Sequence, residues 1–207
     1  MQIHASAIQL KRAYEEADKS DGVRVLVDRL WPRGISKDAA HLDAWMKELG
    51  PTDELRTWFG HRADRWNDFR ERYQTELRSS LRQLLLSELE SVARRSTLTL
   101  VYGARDTHQN EAVVLREYVL NHHPQPTERW TEDLRLLATL AAVAAAHGGA
   151  EVPASALQLF MAPHLTDREL GRALQALEDG GTVRKSSNGW HLTARALKRV
   201  RELSSGD

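Results

Sequence analysis

Two short stretches gather the residues able to do chemistry. Asp28 and Arg29 follow the apolar run Val25-Leu26-Val27, with Trp31 and Arg33 close behind. Tyr102, Gly103, Arg105 and Asp106 follow a second apolar run, Leu98 to Val101. A guanidinium is a planar fork of N–H donors that matches phosphate or carboxylate oxygens two at a time. Arg29, Arg33 and Arg105 therefore point to an anionic ligand, and Trp31, Tyr102 and Trp58 to stacking on a planar ring. Asp28, His61 and Glu111 are the candidates for catalytic acid–base work, His61 because imidazole titrates near neutral pH. Each has a structural alternative. Asp28 paired with Arg29 or Arg105 would merely fix a loop, Trp31-Pro32 would plug a sheet edge, and His61 would cap carbonyls at a helix end. Trp45, Trp66, Phe69 and Tyr73 stand at apolar helical spacing and read as core.

The two groups converge only if their runs are neighbouring parallel strands, because ligands in open α/β sheets bind beyond the strands' carboxyl ends. The pattern allows it. Val25-Leu26-Val27 and Leu98–Tyr102 are apolar without alternation, as strands buried on both faces are. Ile8 to Tyr14 alternates weakly and reads as an edge strand. Ser36 caps a helix whose apolar positions are Leu42, Trp45, Met46 and Leu49, stopped by Gly50-Pro51. Further helices are expected over Asp53–Phe59, along the stripe Trp66, Phe69, Tyr73 and Leu77, over Leu81–Ala93, and over Thr107–Leu120. The last would aim its free N–H groups at an anion. Strands interspersed with helices predict an α/β domain, a mostly parallel sheet with helices on its faces.

The chain has 207 residues, beyond the usual size of one domain. Pro124 and Pro126 mark a stiff linker, which divides the chain into residues 1–123, a linker at 124–129, and residues 130–207. In the last segment Thr131 caps a helix to about His147, and Pro153 opens a short helix. Thr166 and Glu169 form a capping box for a third, and Asn188-Gly189 turns a hairpin over Thr182–Thr193. Thr193 caps a final helix. That order is the layout of a winged helix-turn-helix. Arg168, Arg172 and Gln175 on the third helix, with Arg184 and Lys185 on the wing, are the candidate DNA contacts. The third helix carries four acids against two arginines, which opposes approach to phosphates. A role in dimerisation, or in packing on the first domain through the Ala-rich stretch Ala138–Ala146, is the alternative.

Composition excludes several classes. The chain has no cysteine, so disulfides, thiolate metal sites and Cys nucleophiles are out. No His-x-x-x-His, Gly-x-Ser-x-Gly, phosphate-loop or Gly-x-Gly-x-x-Gly motif occurs, and no metal or cofactor is expected. The formal net charge is +0 and neither half is a polycation, so DNA binding would need a local patch. Met1 to Leu10 lacks the build of a signal peptide, and no apolar run approaches the ~20 residues of a membrane span. A cytoplasmic protein without membrane contact is expected.

The first domain resembles the YeaO-like family of domains of unknown function. The matching blocks are Arg24 to Gly34, Leu55 to His61, Phe69 to Tyr73, Leu98 to Ala104 and Asn110 to Leu115, within residues 8–121. The resemblance implies a fold but no established activity, and it adds Gly34 and Asn110 to the ligand-binding candidates. The family normally has His after the Asn of the last block, and Glu111 stands there in this chain. If that His were a base or metal ligand, its chemistry is altered or lost here. The fused arrangement resembles a regulator-like hybrid. The expected partners are a small anionic ligand and duplex DNA, bound as a homodimer matched to paired half-sites. Two alternatives remain open: an enzyme acting on a small phosphorylated or nucleotide-like substrate, and an accessory protein acting only through partners.

Overall fold

The computed structural model describes residues 3–122, 131–149, 151–161 and 164–204. Strands β1 (Ile8–Arg12), β2 (Val23–Leu26), β3 (Ala44–Trp45) and β4 (Leu98–Tyr102) form one sheet in the order β1-β4-β2-β3, with every pair parallel. The chain is therefore α/β, with β1 at one edge. All of β2 and β4 is buried, as their unalternating apolar pattern requires. Arg24 is the polar exception in β2. Its guanidinium pairs with Asp21 and donates to the carbonyls of His41 (3.0 Å) and Ala40 (3.2 Å). Lys11 reaches the same carboxylate at 2.8 Å. Burial opposes the ionisation of Asp21, but Lys11, the Asp18 N–H and Arg24 outweigh it and hold its pKa below the ordinary carboxylate value. This network ties together the amino end of the sheet and leaves the carboxyl end for the site.

The helices are α1 (Lys37–Ala40), α2 (Asp53–Phe59), α3 (Trp66–Glu76), α4 (Ser80–Ala93) and α5 (Glu111–Asn121). Two differ from expectation. The helix anticipated from Ser36 to Leu49 stops after four residues, at His41 in the left-handed region (φ 45). Backbone pairing explains it. The open edge of β2 needs partners, and the Asp43 and Met46 N–H groups donate to Arg24 and Leu26 carbonyls at 2.9 and 3.0 Å. The apolar positions that suggested a helix also contain a period of two, with Leu42, Ala44 and Met46 all buried. Trp45 is thus a strand residue, and a 3-10 turn, Lys47–Leu49, follows it.

The second difference lies before α5, which begins at Glu111 and not at Thr107. The Asp106 carboxylate accepts from the His108 and Gln109 N–H groups at 2.8 and 3.0 Å. Asn110 is fully buried as the cap, its Oδ1 accepting from Val113 N–H at 3.1 Å. These side chains take up backbone N–H groups that would otherwise be free to meet an anion.

Beyond the expected linker, whose residues lie outside those described, come α6 (Glu132–Ala146), α7 (Ala154–Met161) and α8 (Asp167–Asp179). An antiparallel hairpin, β5 (Val183–Lys185) and β6 (Trp190–Leu192), and α9 (Ala194–Ser204) complete this part. The Thr166–Glu169 capping box is formed. The hairpin closes with Ser186 N–H donating to Gly189 O at 2.9 Å, so Ser187-Asn188 occupies the turn in place of Asn188-Gly189. Gly189 serves a close approach: a Cβ there would stand 2.5 Å from the Val152 carbonyl oxygen.

The two parts share one core. α6 lies against β3 and α4, and one apolar cluster runs from Ile3 through Leu89 and Leu140 to Ala196. At this junction Glu88 of α4 is completely buried and pairs with Arg135 of α6, which also donates to His164 Nε2 at 3.0 Å. Burial raises Glu88 to about 7 in spite of Arg135. Burial also lowers the His164 pKa, with Arg135 acting in the same direction.

Candidate functional site

Neighbours β2 and β4 sit where the strand order reverses, since β3 follows on one side of β2 and β4 on the other. Ligands favour the crevice at such a switch point. The Val27 N–H still pairs with Val101 O (3.0 Å); beyond that bond the strands part, leaving Asp28 and Gly103 at their tips. Asp28 Oδ2 accepts from the Gly103 N–H at 2.9 Å. A Cβ on residue 103 would lie 2.8 Å from that oxygen, so any larger residue would push the Asp28 carboxyl aside. The Asp28 carbonyl accepts from Trp45 Nε1 at 2.7 Å. Asp28 is thus held from both sides.

Its second oxygen is the anomaly. Asp28 Oδ1 is buried and has no N–H or O–H donor among the described residues. The neighbouring acid is Glu111, from the first turn of α5, which lines the same cavity. Burial first, and then the Glu111 charge and its hydrogen bond, push the Asp28 pKa up to about 9. Two carboxyls in contact cannot both ionise cheaply. Burial and the neighbouring acid thus favour the protonated form of Asp28, hydrogen-bonded to Glu111.

A cavity of ≈ 350 Å³ opens above this pair. Arg29, Arg33, Arg56 and His61 stand on its walls, with the rings of Phe59 and Phe69 beside them. Trp31 and Tyr14 also reach it. Arg29 is partly committed: Nε donates to Pro51 O at 2.9 Å, and Glu48 lies 3.5 Å from its terminal nitrogen. Arg56 reaches Asp53 at 3.2 Å in the exposed first turn of α2. Arg33 is exposed and makes no side-chain hydrogen bond or ion pair with the other described residues. His61 follows Gly60, both in the left-handed region, and its exposed ring tilts against Phe59 at 5.4 Å. That backbone bend turns the imidazole from the end of α2 towards the cavity.

The structure brings together Asp28, Arg29, Trp31, Arg33, His61 and Glu111 out of the sequence candidates. Asp28 makes no pair with Arg29 or Arg105; its partners are a backbone N–H and another acid. Arg105 is exposed and off the cavity wall, and Tyr102 is buried within the sheet. Asn110 is spent as a helix cap, Gly34 lies in the neighbouring loop at φ 79, and Trp58 packs under Arg72, 4.1 Å from its ring centre. Trp31 donates to Ile35 O at 2.7 Å and meets Trp45 edge-on, so little of its face is left for a ligand. Tyr14, Arg56 and Phe59 escaped the sequence reading. Arg56 had a usable signal, since it shares the short α2 with Phe59 and precedes His61 by little more than a turn.

Among the described residues no three His, Asp or Glu side chains gather as a metal cluster, and no helix is long and apolar enough to cross a membrane. On the other part, Arg168, Arg172, Gln175, Arg184 and Lys185 are all exposed. Gln175 is engaged with Asp179 at 3.0 Å, and Glu178 accepts from the Lys185 N–H at 2.9 Å.

Sheet and cavity together define an α/β domain with a small-molecule-sized hollow at its switch point. By sequence the chain belongs to the inactive DUF488-N3 subclade (DUF488-N3i), whose family model matches residues 7–133. It is 45% identical over 112 residues to the uncharacterized protein YeaO of Escherichia coli (strain K12), covering 54% of this chain and 96% of that protein. It is 39% identical over 115 residues to the uncharacterized protein Rv3073c of Mycobacterium tuberculosis (strain H37Rv), covering 56% of this chain and 95% of that one. No solved structure matches.

Proposed function

We propose that this chain is a ligand-responsive regulator, in which residues 1–123 bind a small molecule carrying an anionic group and residues 130–207 form a winged helix-turn-helix joined through 124–129. The observation that carries the reading is the double commitment of Arg29. It lines the cavity, and it also holds Glu48 and Pro51 O. Trp45, Met46, Lys47 and Glu48, one turn away, form a wall of a second, largely apolar cavity of ≈ 280 Å³ shared with α6, Leu192 and α9. An anion that draws Arg29 outward competes with Glu48 and Pro51, and so pulls on the segment against which α6 packs. The ligand's differential contact is with a strut between the two parts, which coupling requires.

In this reading the exposed Arg168 and Arg172 of α8 and Arg184 and Lys185 of the hairpin approach duplex DNA, with a homodimer matching paired half-sites. The acids of α8 make non-specific binding weak, so ligand control acts on a marginal affinity. An enzyme acting on a small phosphorylated or nucleotide-like substrate is the second reading, favoured by the Asp28–Glu111 acid pair beside His61. The family's own description as inactive weighs against it.

The test is fluorescence anisotropy with random-sequence duplex DNA at low and moderate salt. Binding is expected to weaken with salt, and replacing both Arg168 and Arg172 with Ala is expected to flatten the log–log slope by up to roughly 0.9 per phosphate contact removed. Adding inorganic phosphate is expected to shift DNA affinity in the parent protein and not in Arg29→Ala. Binding absent at low salt, or indifferent to salt, overturns the regulator reading.

A further inference from the structure

We infer that the apolar cavity at the junction of the two parts is a second binding site, for a small uncharged aromatic molecule of one or two rings. It is separate from the anion cavity, and the inference goes beyond the reading of that cavity.

β3, α4, α6, β6 and α9 each contribute a wall, among them Leu81 and Leu85 of α4, Ala138 and Ala142 of α6, and Leu197 and Val200 of α9. A hollow walled by both parts exists only while they are docked. Alanines on a packed helix normally let it approach its neighbour closely, and protein interiors keep few voids larger than a water molecule. Here Ala138 and Ala142 are 4% and 6% exposed, yet they border a hollow of ≈ 280 Å³. An apolar cavity of roughly 150 Å³ in another protein already takes up benzene. Volume alone thus admits one ring with room to spare.

The walls select against charge. Their charged side chains already face partners: Lys47 Nζ lies 3.8 Å from Glu48 Oε1, Glu48 Oε2 lies 3.5 Å from Arg29, and His191 Nε2 lies 3.3 Å from Glu151. The Glu48 carbonyl accepts from Arg82 Nε at 2.8 Å, and the Ala145 carbonyl accepts from Lys37. None of the buried side-chain polar atoms that lack a partner among the described residues belongs to a wall residue. A buried water is held by several polar partners, and these walls are poor in them. A charged ligand would leave water without gaining a counter-ion. An uncharged ring gives up no hydrogen bond and buries apolar surface against both parts. Its flatness suits the α6 wall, where alanines present nothing longer than a methyl group to the branched side chains opposite.

Entry is open. Leu197 is 40% exposed, and Lys47 and Gly149 of the same walls are exposed too. Ala141 and Leu192 are half-buried. A small molecule therefore reaches the walls without unfolding either part.

NMR of the full chain carrying 13C-methyl alanine, titrated with toluene, indole and benzoate, tests the inference. Toluene and indole are expected to shift the Ala138 and Ala142 methyl signals saturably and to leave Ala112, next to Glu111 of the anion cavity, unmoved. Benzoate is expected to bind at least roughly tenfold more weakly than toluene, because its charge finds no free partner. Ala141→Leu fills the hollow from a half-buried position; it is expected to melt at a higher temperature than the parent and to bind toluene at least roughly tenfold more weakly. Leu197→Trp, at an exposed position of the wall, is expected to weaken toluene binding in the same way. Any of four results overturns the inference: no saturable shift up to the solubility of toluene, an equal shift at Ala112, benzoate as tight as toluene, or toluene binding undiminished in both variants. Toluene binding in a chain that never binds DNA leaves this site standing and removes the regulator reading. Salt-dependent DNA binding with no toluene response does the reverse.

Discussion

Asp28→Asn should make the protein more stable, and the gain should grow with pH. An acid whose pKa is raised on folding keeps its proton in the native state while the unfolded chain gives its proton up. Above pH 4 the unfolded state therefore binds fewer protons, and the stability contributed by Asp28 falls as pH rises from about 4 towards 9. The interval from the ordinary value of 3.8 to neutral pH, at about 1.4 kcal/mol per unit, sets an upper bound of about 4 kcal/mol on that penalty. The cavity admits water and the proton is shared, so about 1–3 kcal/mol is the expected size near pH 8. Asparagine removes the penalty and keeps the geometry. Its carbonyl oxygen accepts from the Gly103 N–H, and its amide donates to Glu111 where the shared proton stood. Urea denaturation of parent and variant at pH 5 and pH 8 measures the difference. The variant should exceed the parent clearly at pH 8 and by little at pH 5. A variant less stable at pH 8, or a difference that does not change with pH, would refute the proton-sharing pair.

Other predictions concern neighbouring contacts. Gly103→Ala places a Cβ 2.8 Å from Asp28 Oδ2; it should cost about 1–3 kcal/mol in thermal denaturation and lose ligand response. Glu88→Ala leaves Arg135 buried without its partner and should destabilise by about 3–5 kcal/mol, whereas Glu88→Gln should be far milder. Because burial raises Glu88 from 4.5 to about 7, its contribution to stability should decline as pH rises across that interval, and Glu88→Gln should flatten the decline. Trp190 is buried beside Val152, and Gly189→Ala drives a Cβ to 2.5 Å from the Val152 carbonyl. That variant should unfold the hairpin region first, seen as lost amide-exchange protection in 183–192 with protection kept in 98–102.

The sheet was legible because Val25-Leu26-Val27 and Leu98–Val101 are apolar without alternation, and the tips of such strands are where function collects. Segment 37–49 was misread because Leu42, Trp45, Met46 and Leu49 fit a helix as well as Leu42, Ala44 and Met46 fit a strand. Only the unpaired edge of β2, which no local pattern records, decides between them. The start of α5 was misread because Asp106 and Asn110 turn their side chains back on the backbone, a local competition that helical periodicity does not show. Arg105 was grouped with Arg29 and Arg33 by its distance from a strand end, but a side chain two residues beyond Gly103 is free to face solvent. Glu111 stands among the acid–base candidates and in place of a family His, but nothing local in the sequence sets it beside Asp28. Its contact with Asp28 spans more than eighty residues of chain and needed the parallel pairing of β2 with β4 to appear. The helices after Thr131 were read from their caps, Thr131, Thr166 and Thr193, because capping is local chemistry.

The account depends on Asp28 holding a proton at neutral pH, which NMR can see directly. In protein carrying 13C-labelled aspartate, the Asp28 carboxyl carbon, assigned by its loss in Asp28→Asn, should show the protonated chemical shift at pH 7 and titrate near 9. A carboxylate shift at pH 7, with a midpoint close to 4, would contradict it.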